Sequence, residues 1–149
     1  MRVFIANKGV KSQWNGDSLI HGIGRTRGGG VFFEKKTDIE ISRSFFGFNH
    51  VQMDGGGIYL YNCSKISIHH NMFIMNGAKW GGAVYLEKCS DIHIFNNCFL
   101  FNFAIRDGGA ISISNCDHIE IANNAWLFNI ALRSSRNIDN HNSKKILIE

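Results

Sequence analysis

Apolar residues recur along this chain in short alternating runs that are themselves repeated at a fixed interval. A run beginning Gly81-Gly82-Ala83-Val84-Tyr85-Leu86 and closing at Asn102 is flanked by similar copies. These begin at Gly28, Gly55 and Gly108 and close at Asn49, Asn76 and Asn129, so the starts lie 27, 26 and 27 residues apart. A constant period of this size marks a solenoid, in which each repeat buries its apolar face against its neighbours. Within each copy three runs alternate with period two, as strands do. The first predicts inward columns Val31/Ile58/Val84/Ile111 and Phe33/Leu60/Leu86/Ile113. The second predicts Ile39/Ile66/Ile92/Ile119 and Ile41/Ile68/Ile94/Ile121, and the third Phe46/Phe73/Phe99/Trp126 and Phe48/Met75/Phe101/Phe128. Three strands per coil of about 27 residues, stacked at about 4.8 Å, describe an all-β right-handed parallel β-helix.

Polar residues stack at the corners. Asn49/Asn76/Asn102/Asn129 follow the third strand and Asn71/Asn97/Asn124 follow the second. Asn tolerates left-handed backbone, and its amide can bond to its copies above and below. Cys63/Cys89/Cys116 form another column, with Lys36 in that place in the first regular coil. They read as small buried residues: parallel Cβ vectors suit a disulfide badly, and an in-line column does not make a tetrahedral metal site.

Residues 28–134 are thus four regular coils. Residues 1–27 fit the repeat poorly and read as an irregular first coil or partial cap, with strands at Val3-Phe4-Ile5 and Leu19–Ile23 and a turn at Trp14-Asn15-Gly16-Asp17. Residues 135–149 begin a truncated fifth coil, in which Ile138, Ile146 and Ile148 fall on inward columns and Asn140 interrupts one. With no cap visible, the chain reads as a segment of a longer protein.

Composition narrows the function classes. Sixteen Gly and no Pro among 149 residues suit many tight corners joined to uninterrupted ladders. The formal charge of +4 comes from scattered Lys and Arg, which argues against nucleic acid as a partner. No apolar run is long enough to span a membrane as a helix, and the N-terminal run is too short for a secretory signal. No GxSxG, HExxH, P-loop or strand-linked GxGxxG pattern is present, so no catalytic residue, metal ligand or cofactor is assigned.

Function is therefore sought on outward columns. On the first strand Phe32, Tyr59 and Tyr85 stand beside Glu87, a combination that could hold sugar rings or simply stiffen the sheet. On the second, His69, His93 and His118 run diagonally across three coils with Asp91 and Glu120 close by. These are candidates for acid–base or metal chemistry, against the ordinary reading of a polar sheet surface. The third strand is apolar on both sides, through Met72, Ile74, Leu100 and Leu127, and Ile130-Ala131-Leu132 follow it. This predicts a face covered by another segment or a partner. The Arg106-Asp107 pair before Gly108 reads as a turn salt bridge or cap.

The motifs Gly-Gly-Ala-Val (81–84), Gly-Gly-Ala-Ile (108–111) and Phe-x-x-Asn (46–49, 73–76, 99–102) recur together in fixed order. In this the chain resembles the polymorphic outer membrane protein family over residues 28–129. More loosely it is similar to the parallel β-helix proteins related to pectate lyases. Gly30 and Gly57 depart from Ala, Trp126 from Phe, and Ser135-Arg136 from Gly-Gly. The resemblance implies a pectate-lyase-like architecture and an adhesin-like, non-catalytic passenger at the cell surface or secreted, with a glycan or cell-surface protein as partner. The signal peptide and translocating barrel of such proteins are not in this sequence. The alternative it raises is a fragment of a carbohydrate-active enzyme, a polysaccharide lyase or glycoside hydrolase, acting through the His93/Asp91/Glu120 region.

Overall fold

A computed structural model describes the chain from Arg27 to Glu149. Before that it describes only the strands Phe4–Ile5, Ser12–Asn15, Ser18–Ile20 and Ile23–Gly24. Among the described residues every regular element is a strand, and every strand pair is parallel. The chain is a β-solenoid of about four turns, each residue lying beside its equivalent 26 or 27 positions away.

The first sheet stacks Phe4–Ile5, Val31–Glu34, Ile58–Tyr61, Val84–Glu87, Ile111–Ser114 and Ile138–His141. The second stacks Ser12–Asn15, Thr37–Ser42, Ser64–His69, Ser90–Phe95, Asp117–Ala122 and Lys144–Ile148. The third stacks Ser18–Ile20, Phe45–Gly47, Met72–Ile74, Cys98–Leu100 and Ala125–Leu127. A fourth sheet, absent from the sequence expectation, is made of two-residue strands: Ile23–Gly24, His50–Val51, Gly77–Ala78, Phe103–Ala104 and Ile130–Ala131. Two residues are too few to show alternation, and the inward side chain of each later pair is only an Ala, so the pattern carries little signal.

The expected irregular first coil falls largely outside the described residues. Its described strands pair 27 positions ahead, Phe4 with Val31 and Leu19 with Phe46. Trp14 and Asn15, expected in a turn, belong to a strand and pair with Ile41 and Ser42; Gly16 and Asp17 lie outside the described residues.

The core is the set of ladders expected from the first two runs. Val31, Ile58, Val84 and Ile111 are buried, as are the Ile columns of the second sheet. Phe46, Phe73, Phe99 and Trp126 stack with ring centroids 4.8, 4.7 and 4.8 Å apart. Each such pair adds roughly 0.5–1.5 kcal/mol beyond the area it buries.

The second column of the third run behaves otherwise. Phe48, Met75, Phe101 and Phe128 were expected inside and are exposed. Their φ angles are 52° to 57°, the left-handed region, so the period-two alternation stops at the corner and these side chains turn outward. The next residue is the one that points in. Asn49, Asn76, Asn102 and Asn129 are buried and hydrogen-bonded along the axis. Asn76 donates through Nδ2 to Asn102 Oδ1 (3.0 Å) and to the Phe46 carbonyl (2.9 Å), and its backbone N–H donates to the same Asn102 Oδ1 (3.0 Å). Asn71, Asn97 and Asn124 form a parallel ladder at the preceding corner.

The Gly-Gly corner is dictated by space. Gly81 has φ +60°, and a Cβ on Gly82 would lie 2.2 Å from the Gly109 carbonyl oxygen and against the Phe103 backbone. Only a residue without a side chain lets successive coils approach there.

Candidate functional site

The outer face of the first sheet is built from columns that change chemistry along the axis. One runs Phe32, Tyr59, Tyr85, Ser112, Asp139, and its neighbour Glu34, Tyr61, Glu87, Ser114, His141. Beside them, the corner before each Gly-Gly stacks Arg27, Asp54, Trp80 and Asp107. In the lower coils large rings fill the angle between corner and sheet. Phe32 stacks on Tyr59 at 5.3 Å and Tyr59 on Tyr85 at 5.4 Å, the rings nearly parallel. The Arg27 guanidinium covers Tyr59 at 5.1 Å while pairing with Asp54 at 3.0 Å, and the Tyr59 hydroxyl donates to Glu87 at 2.7 Å.

Tyr59 is consequently buried, not the open aromatic platform its outward position suggested. Burial first, then the Glu87 hydrogen bond, drives its phenol pKa far above the usual range. One Asp54 oxygen is also buried, with no hydrogen-bond partner among the described residues, and burial outweighs Arg27 in raising that carboxyl.

Above Tyr85 the filling stops. Ser112 and Ser114 replace aromatic and acidic side chains in the two columns, and the missing bulk leaves a cleft of about 280 Å³. Trp80 and Tyr85 supply its aromatic walls, and the two serines lie in its floor. Arg106, Asp107 and Arg133 come from the corners, Asp139 and His141 from the last described coil. The Arg106 guanidinium lies 5.2 Å from the Trp80 ring centre, and Lys79 Nζ lies 4.4 Å from it. Of the turn salt bridge or cap expected for Arg106-Asp107, no salt bridge forms between the two: Asp107 accepts a hydrogen bond from Ser134. The Tyr85 phenol is pushed up to about 12 by burial. Burial, and next the Asp107 charge, raises the Asp139 carboxyl, which Ser112 approaches at 3.5 Å.

No protein-family model, curated protein or solved structure matches this chain. The site therefore stands on its own geometry.

Of the four aromatic and acidic candidates, Tyr85 alone lines the cleft, while Phe32, Tyr59 and Glu87 form the packed pier beneath it. The residues that sequence reasoning missed had a signal. Two serines interrupt otherwise bulky columns, and Trp80 and Asp107 recur at the repeat spacing immediately before Gly-Gly.

Each imidazole of the second sheet meets a different carboxylate. His69 Nε2 lies 3.3 Å from Glu40, His93 Nδ1 3.2 Å from Glu120, and His118 Nδ1 3.2 Å from Asp117. His69 also stacks on Phe95 at 4.9 Å, and Asp91 is exposed on a left-handed residue. Among the described residues no group of three or more His, Cys, Asp and Glu is arranged to hold a metal ion. Exposed pairs of this kind contribute about 0–1 kcal/mol and are screened by salt.

Three of the four cysteines are buried and all four are free. Cys63, Cys89 and Cys116 each direct Sγ at a carbonyl of the preceding coil, at 3.5 to 3.6 Å. Cys116 Sγ also accepts the Cys89 backbone N–H at 3.3 Å. The column is a weaker version of the Asn ladders. Among the described residues no helix is long and apolar enough to cross a membrane.

Proposed function

We propose that this chain is a non-catalytic binding segment of an adhesin-like surface or secreted protein, and that it holds a glycan in the cleft above Tyr85. The finer architecture in this reading is a right-handed, pectate-lyase-like β-helix. The joint recurrence of the Gly-Gly-Ala-[Ile/Val] and Phe-x-x-Asn motifs supports the resemblance to polymorphic outer membrane proteins.

The cleft itself carries the reading. Its two aromatic rings offer the flat apolar faces on which the C–H side of a pyranose packs, and its charged and hydroxyl groups converge on the same small space. Sites of this kind are concave, with a few placed polar groups, and about 280 Å³ is room for one sugar residue more than for a long chain. Corner loops are short, so they rim the cleft without closing over it.

A second reading, a carbohydrate-active enzyme, draws on one observation. Asp139 and Asp107 face the same cleft, and burial, with the Asp107 charge next, raises the Asp139 carboxyl. A carboxyl raised by its surroundings with a second carboxyl nearby is the kind of pair that glycoside hydrolysis uses as acid and base.

One experiment addresses both readings. The chain is screened on a glycan array, and hits are measured by calorimetry with Trp80→Ala and Tyr85→Ala variants, while product is assayed for new reducing ends. The binding reading expects an affinity loss of roughly tenfold or more in each variant, with unchanged circular dichroism and no product. Product formation abolished by Asp139→Asn would establish the enzyme instead. Glycan binding indifferent to both aromatic variants would remove the cleft from the account.

A further inference from the structure

The outer surface of the third and fourth sheets combines two properties that the rest of the molecule lacks. It is apolar: Phe48, Met75, Phe101 and Phe128 form one exposed column, and Ile130 and Leu132 continue the patch around the corner, at 52% and 68% exposure. It is also poor in anions, with only the corner residues Asp54, which is buried, and Asp107 at its border. The stretches that build it from Arg43 onward, 43–53, 70–80, 96–106 and 123–133, contain no Asp or Glu at all. Their charges are Arg43, Lys79, Arg106 and Arg133, with His50 and His70. The last three basic residues form a ladder: the Arg106 N–H donates to the Lys79 carbonyl and the Arg133 N–H to the Arg106 carbonyl, at 2.9 and 3.0 Å. A cationic rail therefore runs along one border of the apolar belt. Trp80, under both Lys79 and Arg106, sits at that border, where amphipathic rings favour the boundary between water and hydrocarbon.

We infer that this face docks on an anionic lipid bilayer. Charge selects the occupant. A second copy of the chain would bring one cationic border against another, so self-association through this face works against itself electrostatically. An anionic membrane surface attracts the rail, each Lys or Arg near it contributing about a fivefold gain in partition. The belt's Phe, Met, Ile and Leu side chains then enter the headgroup boundary. The ladders give a regular surface of stacked strands, which matches a lipid surface better than the shaped pocket of a protein partner. The chain would lie on the membrane with the solenoid axis along it, held by side chains and not by a spanning element. This inference shares Trp80, Arg106 and Arg133 with the cleft but is carried by the exposed apolar belt, which the glycan reading does not use.

The test is co-sedimentation of the full chain with phosphatidylcholine vesicles with and without phosphatidylserine. Partition onto the phosphatidylserine vesicles is expected to be roughly tenfold stronger or more, and to fall as salt is raised. The double variant Phe101→Ser/Phe128→Ser should weaken it by about tenfold or more while circular dichroism stays native, because both rings are exposed. Arg43→Glu/Lys79→Glu should weaken partition onto anionic vesicles only. Equal partition onto both vesicle types, or onto neither, would overturn the inference. So would a dimer in light scattering that Phe101→Ser/Phe128→Ser dissociates, which would show a second copy on this face. These vesicles carry no glycan, so neither result bears on the cleft above Tyr85.

Discussion

Phe101 and Asn102 adjoin in the chain, yet the Phe ring is 46% exposed while the Asn is wholly buried. The same inversion occurs at 48/49, 75/76 and 128/129, with the apolar side chain outside and the amide inside. Two constraints at the corner outrank hydrophobicity. The left-handed backbone at Phe101, φ 53°, swings its side chain away from the axis. The residue after it enters a tight bend where backbone groups lose their sheet partners, and a buried unpaired N–H or C=O costs about 1–3 kcal/mol. Asn102 meets that need with one side chain, accepting from Asn76 and donating to the Phe73 carbonyl at 3.0 Å. A Leu in its place would bury more apolar area and strand more polar groups. The comparison teaches that the interior of this solenoid is apolar along its sheets and amide-lined at its corners.

Asn102→Leu should break the arrangement most severely. It orphans the Asn76 backbone N–H and the Phe73 carbonyl and removes the acceptor for Asn76 Nδ2. A loss of about 3–5 kcal/mol is expected in urea unfolding, centred on the middle coils. A loss below about 1 kcal/mol would show that the ladder is ornamental and that the backbone bend holds itself.

Phe101→Asn probes the other member of the pair. Its exposed ring stacks on Phe128 at 5.2 Å, and the residue occupies a backbone conformation that Asn adopts with less strain. The unfolding free energy should change by no more than about 1 kcal/mol, and toward greater stability. A loss comparable to that of Asn102→Leu would mean that Phe101 is packed in solution against something that shields it from water.

These two neighbours also mark where the sequence could be read and where it could not. The repeat, the Val/Ile/Leu columns and both Asn ladders were visible because identical residues return every 26 or 27 positions, and period two sorts inside from outside within a strand. Period two fails at a left-handed residue. That failure placed Phe101 inside and left the two-residue strand Phe103–Ala104 unrecognised. The cleft was harder still, because it is defined by absence. Ser112 and Ser114 are unremarkable in a strand, and only the space left above Tyr85, with Trp80 and Arg106 standing over it, makes them part of a site. Tyr59 illustrates the converse: its outward position was legible, but the cover given by Arg27, Asp54 and Glu87 depends on corners that no strand pattern describes.

The cysteines repeat the comparison with residue type held constant, and the expected effect is a difference in rate with little change in stability. Cys89 lies inside its corner, 3% exposed, with Sγ directed at the Leu60 carbonyl. Cys98 lies on the outer side of the third sheet and is only half-buried, between Met72 and Ala125. Because the thiol must meet the reagent to react, the buried inner thiols have less access than Cys98. Alkylation of the native chain followed by peptide mass mapping should therefore label Cys98 first. Cys63, Cys89 and Cys116 should follow only when urea opens the coils, in step with unfolding. Early labelling of Cys89 would mean that this thiol-lined corner opens while the sheets beside it hold, and would show that the Cys column contributes little to the chain's stability.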